Sequence, residues 1–237
     1  MPVFQLPEEI IFPPPELAEP DGLLAVGGDL SPARLLAAYQ QGIFPWYSGK
    51  EPILWWSLSP RLVLFPEEFH LPRSLARTIK RGIYQVSADT AFAEVITSCA
   101  AMRQETGTWI TKDMQAAYIR LHELGYAHSV ECRFEGELVG GLYGICLDRM
   151  FFGESMFSYR TDASKVALAA LVNQAKQLGI RAIDCQMTTA HMLRFGSREL
   201  DRSAFQELLE QSIQHLQPQP RWQLQGGQPV ETGKAVF

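Results

Sequence analysis

Between His128 and Phe157 the apolar positions fall into three runs, HSVECRF, ELVGGLYGICL and MFFGESMF, parted by turn residues at Glu135-Gly136 and Asp148-Arg149. Runs of this length bounded by turn pairs predict an antiparallel three-strand meander. Elsewhere the period lengthens to 3.6. Ser31 and Pro32 open a helix with Leu35, Leu36 and Tyr39 on its apolar stripe and Gly42 at its end. Pro72 to Arg81 reads as a second helix closed by Gly82, and Asp89 is placed to cap a third carrying Phe92, Val95, Ile96 and Cys99. Thr111 caps a fourth, with Met114, Ala117, Tyr118 and Leu121 inside and Gly125 at its end. After the meander come a helix from Ala163 to Leu178 stopped by Gly179, a strand in IRAIDCQM, a short helical piece in TTAHMLRFG and a last helix in SAFQELLEQSIQHL. RLVLF (Arg61 to Phe65) and IYQVS are further strands.

The proline-rich start up to Gly22 and the stretch IFPWYSGKEPILWWSLSPR lack either period and are expected to be irregular. Residues 1–60 are therefore read as a small N-terminal domain, 61–217 as the main domain, and 218–237, which has no apolar period, as a mobile tail. Strands followed by a long helix, a strand and another helix predict an α+β acyltransferase-type layering. In it two central strands diverge around an acyl-bearing ligand, and the Phe151 and Ile183 strands are the candidates.

A formal charge of −5 argues against a generally basic nucleic-acid coat but leaves a local basic patch open. The four cysteines are widely spaced, with no CxxC pair or histidine at ligand spacing, so reduced thiols are expected rather than a disulfide framework or a metal site. The opening MPVFQLPEEIIFPPPE has no basic n-region followed by an apolar h-region, and no apolar run approaches the ~20 residues of a membrane span. A cytoplasmic protein is expected.

Chemistry is suggested at three places. Glu154 interrupts the apolar run FFGESMF, and strict alternation would put it on one face with Phe152 and Met156. In IDCQM, Asp184 and Gln186 share a face, roughly 7 Å apart. Spacing alone leaves open whether these three are solvent-facing or converge on a cleft. Third, Arg73, Arg77, Lys80 and Arg81 stand at i, i+4, i+7 and i+8, on the helix face opposite Leu75 and Ile79, with no acid between them. That favours a polyanion site over a merely solvated face. Trp46 and Trp109 lie in loop-like contexts, where aromatics line pockets, whereas Trp55 and Trp56 read as core. GxGxxG, Walker, GxSxG and HExxH motifs are absent, and SYRTDAS lacks the glycines of a pyrophosphate loop, which counts against a CoA-dependent N-acyltransferase.

GGDLSPARLLAAYQQGIFPWY, PILWWSLSPR, TGTWIT, LVGGLYG, FFGESMFS with ASKVAL after it, and IDCQM together resemble the bacterial leucyl/phenylalanyl-tRNA–protein transferases, over roughly Phe12 to His215. The resemblance implies a small N-terminal domain on a GNAT-like acyltransferase domain with a mixed, mainly antiparallel sheet flanked by helices. It implies transfer of leucine or phenylalanine, less readily methionine, from Leu-tRNA or Phe-tRNA to proteins with N-terminal Arg or Lys, marking them for degradation. No cofactor, metal or membrane is involved, and a monomer is expected. On the family pattern Glu154, Asp184 and Gln186 fall at the active centre. Trp46, Trp109, Leu142, Phe151, Gly153, Met156 and Ile183 fall around the aminoacyl group and terminal adenosine. Arg73, Arg77, Lys80 and Arg81 match a helix that meets the tRNA, and a non-catalytic tRNA-binding module is the other alternative. Leu171 and Ala175 are smaller than the aromatics found at these positions elsewhere in the family. The chemistry expected is aminolysis of an ester, with Gln186 accepting a hydrogen bond from the attacking amine, Asp184 orienting Gln186, and Glu154 holding a cationic group.

Overall fold

A computed structural model describes residues 3–49, 51–102 and 108–224. Its elements in chain order are β1 (Phe4–Leu6), β2 (Leu23–Gly27), α1 (Pro32–Gln40), β3 (Phe44–Pro45), β4 (Leu54–Trp56), β5 (Arg61–Leu64), α2 (Arg73–Lys80), β6 (Gln85–Ala88), α3 (Phe92–Ala101) and α4 (Lys112–Glu123). They continue with β7 (Ala127–Phe134), β8 (Glu137–Leu147), β9 (Met150–Ser158), α5 (Ala163–Leu178), β10 (Ala182–Gln186), α6 (Ala190–Leu193), β11 (Arg198–Leu200) and α7 (Arg202–Ser212).

The strands form two sheets, a small one ordered β1-β2-β4-β3 and a large one ordered β11-β5-β10-β9-β8-β7-β6. The expected meander is β7-β8-β9, with Glu135 and Gly136 at φ 52° and 86° in the first turn and Asp148 at 51° in the second. The large sheet is antiparallel apart from one pair, β9 and β10. Those two run parallel because α5 crosses over between them, ended by Gly179 at φ 69°. Their ladder stops at Asp184 opposite Phe152, so the strands part just where the carboxylate-bearing stretch begins. This is the mixed α+β arrangement with a splayed central pair that the pattern predicted.

One apolar cluster lies on each face of the large sheet. Phe152, Tyr143 and Ile145 face α1, α3, α4 and the small sheet, in a cluster that includes Leu24, Tyr39, Trp55 and Tyr118. Phe151, Leu142 and Ile183 face α5, in a cluster with Leu168, Leu171, Met192 and Trp222. The first cluster joins both sheets into one hydrophobic interior.

Several expectations change. The proline-rich start is not wholly irregular: β1 pairs in parallel with β2. The tryptophan-rich stretch supplies β3 and β4, short enough that no period shows in the sequence. β11 likewise went unread. Asp89 does not cap α3, whose N-cap is Ala91. It sits buried at φ 55°, accepting from the Ser129 and Trp222 main-chain N–H groups and paired with His128 Nδ1 at 2.7 Å. The mobile tail expected from residue 218 does not begin there: Gln219 N–H donates to Gly125 O at 2.8 Å, and Trp222 is 4% exposed. The rest of that segment, 225–237, lies outside the described residues. All four cysteines are free thiols, three of them buried. No helix among the described residues is long and apolar enough to cross a membrane.

Candidate active site

Glu154 sits on a β-bulge. Along the β8–β9 ladder Tyr143 pairs with Ser155 and Gly144 with Gly153, so Glu154 is the extra residue. The bulge reverses the alternation. Before it Phe152 belongs to the α1/α4 side and Phe151 to the α5 side; after it Phe157 and Met156 take those places. The expected shared face for Phe152, Glu154 and Met156 is therefore wrong, because alternation holds only along an unbroken ladder.

The bulge aims the carboxylate at helix side chains rather than at water. Tyr39 Oη of α1 donates to Glu154 Oε1 at 2.8 Å, and Tyr118 Oη of α4 donates to Oε2 at 3.0 Å. The two hydroxyls also contact each other. From β10, Gln186 Nε2 donates to Oε1 at 2.9 Å. Glu154 is 8% exposed, and its two oxygens together accept three hydrogen bonds. Burial is the largest influence on its acidity and outweighs the two tyrosine hydrogen bonds, lifting its pKa from an ordinary 4.5 to about 7.

The regular alternation expected between Asp184 and Gln186 does not hold, because the β10–β5 ladder shifts register between them, and they engage each other differently from the expectation. Asp184 is fully buried in a bidentate pair with Arg61, Oδ1 accepting from Nε at 2.8 Å and Oδ2 from Nη2 at 2.6 Å. Asp184 Oδ1 also accepts the Gln186 main-chain N–H at 2.8 Å. Asp184 therefore fixes the Gln186 backbone, which is held at φ 59°, while Glu154 orients the side-chain amide. With Nε2 committed to Glu154, the Gln186 carbonyl oxygen is the end left to receive a donor.

Where β9 and β10 part, a cavity of about 290 Å³ opens. Leu142, Phe151, Gly153, Met156 and Ile183 line it, joined by Leu168 and Leu171 of α5 and by Met192 of α6, with Glu154 and Asp184 at its polar edge. Five sequence-selected residues thus converge on one apolar pocket. Trp46 and Trp109 do not line it. They pack against the α1/α4-side cluster, on loops that meet where a Cβ on Gly49 would lie 3.7 Å from Thr111 Cγ2. Trp55 is fully buried, while Trp56 is partly exposed and donates its indole N–H to Trp46 O. Arg73, Arg77, Lys80 and Arg81 are all exposed, and α2 packs on α5 through its other side, where Leu75 is buried. None of these four forms an ion pair among the described residues.

The sequence reading missed Tyr39, Tyr118 and Arg61. Both tyrosines occupy apolar-stripe positions, and the available signal was that a buried phenol needs a partner for its hydroxyl. Arg61 opens a strand of four buried residues, where an unpaired cation would be prohibitive. Among the described residues no group of His, Cys, Asp and Glu is placed to hold a metal ion.

The chain matches two family models, leucyl/phenylalanyl-tRNA protein transferase over residues 63–210 and the N-terminal domain of the same transferases over residues 28–59. A leucyl/phenylalanyl-tRNA–protein transferase of Syntrophobacter fumaroxidans is 57% identical over 225 residues, covering 94% of this chain and 96% of that one. The protein of the same name from Anaeromyxobacter sp. strain K is 54% identical, covering 97% and 99%. One from Aromatoleum aromaticum is 60% identical over 197 residues, covering 82% and 83%. Two matched domains and near full-length identity above one half lead to one assignment: the chain belongs to the leucyl/phenylalanyl-tRNA–protein transferase family.

Proposed function

We propose that this aminoacyltransferase moves leucine or phenylalanine, and less readily methionine, from aminoacyl-tRNA to the N-terminal Arg or Lys of a protein, marking it for degradation. It works in the cytoplasm as a monomer. The reading is carried by one observation, the Gln186–Glu154 hydrogen bond at the edge of an apolar pocket between two splayed strands. The aminoacyl side chain enters the pocket, between Phe151, Met156, Leu171 and Ile183. The terminal adenosine rests against Trp46 and Trp109, and the tRNA phosphates meet Arg73, Arg77, Lys80 and Arg81.

The reaction attacks the ester carbonyl with a peptide α-amine, forms the C–N bond and releases the ribose oxygen. At pH 7 roughly a tenth of such an amine, with pKa near ~7.7–8.0, is already neutral. Positioning therefore does most of the work, worth ~7–11 kcal/mol when both groups are held at attack distance. The Gln186 carbonyl oxygen accepts a hydrogen bond from the amine and aligns its lone pair. A neutral amide cannot store the proton. Glu154, bonded to the same amide and raised to about 7, takes it and returns it to the departing oxygen. Asp184 is instead locked in a bidentate pair with the Arg61 guanidinium and bonded to the Gln186 main chain, so it serves as a positioning residue.

The test is direct. Radiolabelled Leu-tRNA is incubated with the protein and a peptide beginning with arginine. Label should pass to the peptide, and Gln186→Ala should slow single-turnover transfer by about 10²-fold. Label that stays on the tRNA with the unaltered protein would overturn the reading.

A further inference from the structure

We infer that Trp222, in the segment after the last helix, is a positioning residue that acts through Phe151 to set which aminoacyl side chain the pocket prefers. The inference deepens the proposed aminoacyl transfer and rests on it. Trp222 does not line the pocket, yet it reaches the wall. Its ring lies 5.7 Å from that of Phe151, tilted by 36°, and Phe151 is a fully buried pocket residue.

Phe151 has little freedom of its own. Its ring lies over Gly144 on the neighbouring strand, where an added Cβ would come within 2.5 Å of a ring carbon. Phe151 is therefore held by a missing side chain on β8, by Trp222 and by whatever fills the pocket.

Behind Phe151, Trp222 is itself held from three directions. Its main-chain N–H donates to Asp89 Oδ2 at 2.6 Å, and its indole N–H to Gln219 Oε1 at 2.9 Å. Its ring stacks on His128 at 4.2 Å with only 5° between planes. Gln219 is tied down in turn by its main-chain N–H to Gly125 O and by its amide N–H to Asp148 O at 3.2 Å. A segment anchored this firmly, behind a single pocket side chain, acts as a rigid back-stop. A hydrophobic pocket separates side chains that differ by one methylene by roughly 10- to 200-fold. Removing the back-stop lets Phe151 relax into the space vacated, because interiors collapse toward cavities only in part and by shifting the nearest side chains.

The experiment measures kcat/KM for Leu-tRNA and Phe-tRNA, with an arginine-initiated peptide as acceptor, for the unaltered protein, Trp222→Ala, Trp222→Leu and Trp222→Phe. Trp222→Ala and Trp222→Leu should shift the Leu-to-Phe ratio toward phenylalanine by about 5- to 10-fold. Trp222→Phe, which restores a planar ring, should keep the ratio within about 2-fold. A purely structural role would lower the active fraction and slow both substrates equally, leaving the ratio unmoved. An unmoved ratio in whichever of the Ala and Leu variants folds overturns the inference, while the transfer reading survives. An unaltered protein that transfers neither amino acid overturns the transfer reading, and this inference with it.

Discussion

Glu154 combines two demands that conflict. Its carboxylate is buried beneath two tyrosines and one amide, and burial holds its pKa near 7. A carboxyl group whose pKa is higher folded than unfolded binds more protons in the native state. Stability therefore falls as pH rises from about 4.5 to about 7, by about 3 kcal/mol for a shift of this size. On the proposed mechanism the same shift gives a base matched to neutral pH. Two results follow for Glu154→Gln. Thermal unfolding at pH 8 should occur several degrees above that of the unaltered protein, with the gain shrinking toward pH 5. Single-turnover transfer should drop by about 10²-fold and lose its rise near pH 7. A variant no more stable at pH 8 than at pH 5, relative to the unaltered protein, would show that the group is not held in this way. In the sequence Glu154 stood out as an acid in an apolar run. The tyrosines that hold it did not, because a phenol on an apolar stripe looks like any other core residue until the opposing element is known.

At the scale of elements, local signals read well and non-local ones poorly. Ser31 and Thr111 do cap their helices, accepting from Arg34 and Met114 N–H groups, and Gly179 ends α5. Each of these features is decided within one turn of chain. The bulge at Glu154 is decided between β8 and β9, and β1 by its pairing with β2, so neither leaves a local trace. Asp89 sits in cap-like sequence but is claimed by His128, Ser129 and Trp222 from distant segments. The basic face of α2 is the opposite case, legible because helical spacing alone puts four cations on one side. If that face meets tRNA, binding should weaken with salt at a log–log slope on the order of −3 to −4. Arg77→Ala with Lys80→Ala should flatten the slope by about 2, equally for Leu-tRNA and Phe-tRNA, and leave transfer at saturation unchanged. Titrating binding against salt checks this, and an unaltered slope would move the tRNA to another surface.

The whole molecule supplies what no single element holds. Glu154 belongs to the large sheet, but its two phenol partners come from α4 and from α1, which lies between β2 and β3 of the small sheet. Tyr39 is completely buried in the cluster that fuses the two sheets, with its ring edge against Phe152, the last β9 residue paired to β10. The N-terminal elements are therefore part of the electrostatics around Glu154 as well as of the packing. The Tyr39 hydrogen bond favours the charged carboxylate and opposes the effect of burial. Tyr39→Phe keeps the ring and removes only the hydroxyl. With one fewer donor the carboxylate should ionise at higher pH, so the rise in transfer should move upward from about 7 by about 0.5 to 1 unit. Above that shifted rise the rate should regain the unaltered value, since Gln186 and the pocket are untouched. A pH profile of single-turnover transfer distinguishes this from simple destabilisation, which would lower the rate at every pH without moving the inflection. An inflection that stays in place would mean that the small sheet and α1 merely support the large sheet mechanically.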